Sequence, residues 1–286
     1  MTKKSFIFTK SVDKFSIRKV TNMEEIHGIV NVQSKAWQMS DLETVATFEM
    51  KAVASFGTVL IAVDKTDKVI GFIYAFPYFP DRHYSHMMAT LPEWQGRGVG
   101  FALKKVHRQI ALQSEVQINS IVWTVDPLLT NNSYLNFAKL GGVCSTYYPN
   151  YYGDPEDVGI YKGIPTDRFL LEWHIRTEKV NRRMKDYKSD RIDLTSLLQR
   201  SPAINKITDN RFATIDNTIF TNSFSVEVPD DYQVLKDKSM EIAIEWRMKF
   251  REICESNFDF GWEINDFHSF QNGGKRRNYY EFAKKS

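Results

Sequence analysis

The sequence predicts an α/β (α+β) fold: a mixed unit of strands and helices followed by a smaller α+β C-terminal region. Three observations carry this reading. Apolar runs alternate with period two, stretches of helical spacing separate them, and the composition changes after Trp173. At 286 residues the chain suffices for one large domain or two small ones with a real core. The expected limits are residues 1–176 for the first domain and 177–286 for a linker and C-terminal extension.

Taken in order, Phe15 to Val20 (FSIRKV) alternates as a strand. Thr21 and Glu24 have capping-box spacing ahead of Ile26, Ile29, Val30 and Trp37, which share one helical face. Ser40 and Glu43 repeat that spacing for a second helix, which Gly57 ends. TVLIAVD and VIGFIYAF are strand runs joined by the turn KTDK, a hairpin signal. A fourth strand covers about Tyr84 to Thr90, with Tyr84, His86, Met88 and Thr90 on one face by alternation. His83 is assigned to the polar turn before it. Val99, Leu103, Val106 and Ile110 then line one face of a helix. A fifth strand, SIVWTVD, precedes a helix over NNSYLNFAKL, which stops at Gly141-Gly142, and a further strand follows. Beyond Trp173, Thr177 to Asn222 reads as linker or loose packing. SFSVEVP is a strand, and a helix starts near Asp230 with Ile242, Trp246, Phe250 and Ile253 on one face and Arg247 and Arg251 on another. DFGWEIND and RNYYEFA close the chain as strands.

Composition excludes several classes. With 42% hydrophobic and 26% charged residues and a net charge of +3, the chain is neither strongly basic nor acidic, which argues against nucleic acid or an anionic membrane as partner. Cys144 and Cys254 stand apart in no metal-type spacing, as suits a reducing compartment. No apolar run reads as a signal peptide or a transmembrane span; VIGFIYAFPYF is short and interrupted by Pro77. The expectation is a soluble cytoplasmic protein.

The segment LPEWQGRGVGFALKK, Leu91 to Lys105, places Gly96, Gly98 and Gly100 between a strand and a helix. A dinucleotide fingerprint would need glycine where Phe101 stands, and a P-loop would need Gly-Lys-Ser/Thr; neither is present. The third phosphate-binding pattern, Gln/Arg-x-x-Gly-x-Gly/Ala, fits Gln95, Gly98 and Gly100. Loop amides and a helix N-terminus would then face a pyrophosphate, with Arg97 adding charge. A glycine-rich turn without a ligand is the competing reading.

With Pro92 ahead of Gln95 and this element order, the loop resembles the acyl-CoA loop of the GCN5-related N-acetyltransferase (GNAT) superfamily. HYSHMMAT, VWTVDPL, NNSYLNFAKLGG, YYPNYYG, GIPTDRFLLEW and, downstream, EIAIEWRMKFRE are similar to a branch of acetyltransferases with a C-terminal extension. The resemblance implies a mixed, mostly antiparallel sheet flanked by helices and splayed between strands 4 and 5. It implies acetyl-CoA or another acyl-CoA as co-substrate, bound through Met88, Ala89 and Thr90 of strand four, the loop Gln95, Gly96, Arg97, Gly98, Val99 and Gly100, and Asn132. Asn132 reads equally as a helix cap.

Direct acyl transfer to an amine needs a base, oxyanion donors and a proton for the thiolate. His86 stands where some members of the family carry a base, and an imidazole suits that role at neutral pH; a structural histidine at a sheet edge is the other reading. Asp126 could orient His86 or hold an ammonium, or simply form the turn before Pro127. The family's usual acid, a tyrosine, is Phe137 here, so Tyr134 or water would protonate the thiolate. Tyr147, Tyr148, Tyr151 and Tyr152 could line an acceptor pocket or pack around a turn. Lys104, Lys105 and Arg108 are expected on a solvated helix face, within reach of the CoA 3′-phosphate. No metal is expected, since His83 and His86 lack a third ligand. The leading expectation is an N-acyltransferase moving an acetyl or succinyl group to a small amine such as an amino acid. The alternative is a non-catalytic CoA-binding protein whose C-terminal region binds a partner or metabolite; that region could equally mediate a homodimer.

Overall fold

The computed structural model describes residues 8–9, 14–40, 43–153, 163–215 and 222–285. Parts of the N-terminal and linker stretches discussed above, at 1–7, 10–13 and 216–221, lie outside the described residues. The chain forms two compact units, one running to Trp123 and one beginning at Thr124.

The first unit contains β1 (Phe8–Thr9), β2 (Phe15–Lys19), α1 (Met23–Trp37), α2 (Thr47–Phe56), β3 (Thr58–Asp64), β4 (Val69–Tyr78), β5 (Arg82–Thr90), α3 (Val99–Leu112) and the start of β6 (Ser120–Val125). The two-residue β1 was not anticipated, so the fourth and fifth predicted strands are β5 and β6. The strands lie in sequence order, antiparallel except for the parallel pair β5–β6. β3 is buried along six of its seven residues, which explains why TVLIAVD is a continuous apolar run rather than an alternating one. Ile26, Ile29, Leu60, Phe72, Leu103 and Val106 belong to one core. Each such side chain contributes about 1.5–3 kcal/mol on burial.

Local signals held with small shifts. The start of α1 is capped by Asn22, whose side chain accepts from the Glu25 amide at 2.9 Å. The Glu25 carboxylate accepts in turn from the Thr21 amide at 2.6 Å, so the capping box sits one residue later than its spacing suggests. Ser40 and Glu43 also bond reciprocally, yet no helix begins there: α2 starts at Thr47 without a side-chain cap.

The second unit contains α4 (Thr130–Ser133), which runs into a π-helical turn (Tyr134–Lys139), then β7 (Val143–Tyr148), β8 (Arg168–His174), α5 (Glu178–Asp186), α6 (Leu194–Arg200), β9 (Asn205–Thr208), β10 (Arg211–Thr214), β11 (Ser223–Val228), α7 (Tyr232–Lys238), α8 (Met240–Phe258), β12 (Trp262–Asn272) and β13 (Lys275–Lys284). Its strands order as β8-β7-β12-β13-β11, with β9 and β10 pairing as a separate hairpin. The stretch read as a linker from Thr177 therefore carries two capped helices and a hairpin. Thr177 and Asp193 supply the caps, and α5 turns Val180, Arg183 and Met184 inward, so polarity there conceals an amphipathic helix. The core of this unit is aromatic: Phe137 and Phe169 meet each other and Tyr280 edge to face, as do Phe169 and Phe250, while Phe250 lies tilted against Tyr280. Among the described residues, no helix is long and apolar enough to cross a membrane.

Candidate active site

Leu91 closes β5 by donating its amide to Ile70 O at 2.9 Å, after which Pro92–Trp94 make a single 3₁₀ turn. Gln95, Gly96 and Arg97 are exposed. Gly96 and Gly98 have φ of 71° and 85°, the left-handed region open chiefly to glycine. Gly98 is the N-cap of α3, with no capping side chain and no acidic residue in the first turn. The first α-helical bond runs from Ala102 N–H to Gly98 O at 3.0 Å, so the helix supplies no acceptor for the amides of Val99 and Gly100. A Cβ on Gly96 would meet nothing within 4 Å. One on Gly71 would lie 3.0 Å from Ala89 O and 3.2 Å from Val99 Cγ1, so a bare backbone on β4 lets the first residue of α3 settle against the sheet. The result is an exposed, positively polarised helix end suited to a phosphate.

The strand beside it parts from its neighbour. β5 and β6 pair in parallel as Arg82↔Ser120, His83↔Ile121 and Tyr84↔Val122, while β5 continues alone along that edge to Thr90. On its other edge Met88, Ala89 and Thr90 pair with Ile73, Phe72 and Gly71 of β4. The splay expected between the fourth and fifth predicted strands thus begins after Tyr84. Lys104 occupies its base. Its Nζ donates to Ser85 Oγ at 3.1 Å and lies 3.3 Å from the Trp123 ring centre, on the residues that follow the last paired ones. At 1% exposure this lysine is no part of a solvated face, and loss of water holds its pKa well below the usual lysine range. Only Lys105 and Arg108 of the three basic residues are partly exposed. His83, expected in the turn, is buried in β5 with its Nδ1 3.2 Å from His107 Nε2.

A β-bulge parts the face of His86 from that of Met88 and Thr90. Phe76 pairs with Tyr84 and Tyr74 with Met87, so Ser85 and His86 together oppose Ala75. The bulge breaks the period-two alternation: Met88 and Thr90 share a face with Ile73 and Gly71, while Tyr84 shares the opposite face with Phe76 and Tyr74. His86 lies on that second face, its ring centre 5.8 Å from Tyr74, 6.0 Å from Phe76 and 6.0 Å from Tyr84. One side of the imidazole stays exposed. Loss of water against these rings lowers its pKa, and the Glu49 carboxylate pulls in the opposite direction.

The remaining predicted residues lie in the second unit. Asp126 is fully engaged there, accepting from Arg247 Nη1 and Nη2 at 2.9 and 2.8 Å and from the Leu128 amide at 2.9 Å. Arg168 stands 3.6 Å away, and the Arg247 charge heads the forces that hold the Asp126 carboxyl below its usual range against its burial. Arg247, placed by its spacing on a separate helical face, is itself buried at 1% exposure. Asn132 is exposed within α4 and does not cap it; that position falls to Leu129. Tyr134 opens the π-helical turn, where Leu140 N–H bonds Leu135 O at 3.0 Å, and its hydroxyl accepts from Arg191. It borders a cavity of about 50 Å³ with Arg183, Tyr187 and Asp266. Phe137 is fully buried, 5.6 Å from the Tyr280 ring, whose hydroxyl bonds Pro127 O and Ser133 Oγ. Tyr147 binds Asp167 at 2.7 Å as part of the packing, while Tyr151 lies tilted against Tyr148 and edge-on to Tyr152. Among the described residues, Asp266, His268 and Glu281 bring donor atoms within 4.8 Å, a group that spacing did not suggest. Arg183 and Arg200 already bind its two carboxylates. The sequence reading also missed Glu49 and the partners of His86; the alternation of Tyr74, Phe76 and Tyr78 was the available signal.

Residues 23–141 match the Acetyltransferase (GNAT) family. Several solved structures are similar in fold. The ribosomal-protein-S18-alanine N-acetyltransferase from Escherichia coli is 16% identical, with a TM-score of 0.44 over 57% of this chain and 95% of that one. A ribosomal-protein-S5-alanine acetyltransferase from Vibrio fischeri is 16% identical, with a TM-score of 0.47 over 61% of this chain and 98% of that one. A GNAT family acetyltransferase from Elizabethkingia anophelis with acetyl-CoA bound is 16% identical, with a TM-score of 0.40 over 57% of this chain and 99% of that one. No curated protein matches the sequence.

Proposed function

We propose, from the match of residues 23–141 to the Acetyltransferase (GNAT) family, that the protein is an acyl-CoA-dependent N-acyltransferase acting on a small amine. The observation that carries the reading is the exposed turn Gln95–Gly98, with two left-handed glycines leading into the uncapped start of α3 beside a strand that has lost its neighbour. The loop residues Gln95, Gly96, Arg97, Gly98, Val99 and Gly100 would hold the phosphates, and the open edge at Met88, Ala89 and Thr90 would supply donors to the acyl arm and its carbonyl oxygen. When bound, acyl-CoA supplies an activated thioester carbonyl.

His86 takes the proton that the incoming ammonium must lose. Its lowered pKa leaves it neutral, hence able to accept, at neutral pH. The amine nitrogen then bonds to the carbonyl carbon as the carbon–sulfur bond breaks; its second proton passes to water, and the thiolate takes a proton from water. Acetyl or succinyl is the group moved. The reading places catalysis in residues 1–176 of a cytoplasmic protein and leaves 177–286 as an extension able to mediate a homodimer, which light scattering on the eluting peak would detect.

Thiol release from acetyl-CoA and succinyl-CoA, measured with a panel of primary amines, tests this. Amine-dependent release is the expected result. Binding of CoA with no release under any amine would favour the second reading, a CoA-binding protein without turnover, which the burial of Phe137 at the usual acid position motivates.

A further inference from the structure

The face of β4 and β5 that carries His86 has a composition of its own. Tyr74, Phe76, Tyr84 and His86 form a continuous ring patch, with Phe76 and Tyr84 5.6 Å apart and each within 6.0 Å of His86. α2 borders this patch through Glu49, an exposed residue whose Oε1 accepts from the Tyr74 hydroxyl at 2.9 Å. At the far end Arg82 lies over Tyr78, 4.6 Å from the ring centre, and Tyr78 meets Tyr84 at 6.2 Å. The positive guanidinium is thus beyond Tyr84, and the negative carboxylate is beside the rings nearest His86.

This asymmetry specifies a ligand chemistry. Ring faces carry negative partial charge and attract ammonium groups, and a neighbouring carboxylate adds to that attraction. An acceptor with a carboxylate on the carbon that bears its amine would bring that charge against Glu49 and lose what the ammonium gains. We propose that Glu49, Phe76 and Tyr84 form the acceptor subsite around His86, with the buried Tyr74 holding Glu49 from behind, and that the acceptor is a primary amine on an aryl or alkyl body without a carboxylate beside the nitrogen. The subsite gathers the amine as its cation and delivers it to the one basic ring in the patch. The proposal rests on the acyltransferase reading for the role of His86, and it narrows the small amine of that reading by setting aside α-amino acids.

Matched pairs differing only in the carboxylate test it: phenethylamine against phenylalanine, and tyramine against tyrosine. With the full chain and its best acyl-CoA, the amine of each pair should exceed its amino acid by about tenfold or more in kcat/KM. Glu49→Gln should shrink that ratio to about twofold by raising KM for the amine, with KM for acyl-CoA unchanged. Phe76→Leu should raise the same KM several-fold. Amino acids turned over as well as their amines, or a ratio that survives Glu49→Gln, would overturn the proposal while leaving the acyltransferase reading intact. Calorimetric titration of phenethylamine and phenylalanine separates the two failures. If CoA binds without turnover, selective binding of phenethylamine that is lost in Glu49→Gln still supports the subsite, and equal or absent binding of both compounds removes it.

Discussion

At the scale of single residues, the two histidine environments of β5 show how one strand serves packing and chemistry. His83 is buried against His107, and His86, on the opposite face, is exposed. Because the neighbouring rings displace part of the water around His86, protonation is disfavoured, and the acid limb of kcat/KM should lie below the ordinary imidazole value of about 6.5. His86→Ala should abolish that limb and lower kcat/KM at neutral pH by about 10²–10³-fold, with CoA affinity retained. An unchanged pH profile in the variant would remove His86 as the base. In the second unit, Arg247 and Asp126 form a two-pronged pair with Arg168 alongside. Arg247→Met should cost about 3–5 kcal/mol in urea unfolding, since it strands a buried carboxylate. Adding Asp126→Asn should restore part of the loss, because the amide in its place carries no charge to be left beside Arg168 alone; the absence of any recovery would show that packing against Tyr232, rather than charge pairing, sets the cost.

At the scale of elements, the junction from β5 to α3 does the positioning. Gly71 admits Val99 against the sheet, and Gly98 turns the chain with φ of 85° so that the helix starts there. Gly98→Val should lose CoA affinity by at least about tenfold, since a branched residue in left-handed backbone must shift the amides around it. Gly96→Ala provides the contrast. It has the same backbone penalty of about 1–2 kcal/mol but meets no neighbour within 4 Å, so it should lose stability and keep more of its affinity. Paired melting and titration experiments on the two variants separate these effects. Equal affinities in folded protein would place the phosphates elsewhere.

At the scale of the whole molecule, ligand linkage is the simplest readout. A cofactor bound only by the folded state stabilises it by about 2.7 kcal/mol at one hundred times its Kd. For a chain of this size that corresponds to a rise in melting temperature of about 5 °C or more. CoA, acetyl-CoA and succinyl-CoA should produce the shift, and NAD and ATP should not. Equal shifts with ATP would reduce the site to a generic phosphate binder. The best acyl form would also identify the donor for the amine panel.

From β2 through Gly142 the order of strands and helices was legible in the chain because each element there follows a local rule: TVLIAVD by apolar run, Val99 to Ile110 by helical spacing, Gly96 and Gly98 by conformational need. Helix α5 was not, because its few inward residues are scattered among charges whose partners lie far along the chain, as Arg183 and Asp266 do. The candidate site divides the same way. The sequence by itself determined the glycine loop and the histidine in strand four, since these are matters of residue type and short spacing; that Phe137 stands where a tyrosine acid is expected came from the family resemblance. Only the tertiary structure decided that a bulge turns Met88 and Thr90 away from the face that His86 shares with Tyr74 and Phe76, that Glu49 borders that face, that Lys104 is buried at the base of the splay and that Asp126 belongs to Arg247. Register shifts and pairings between distant charges are set by how elements pack together, and local spacing does not encode them.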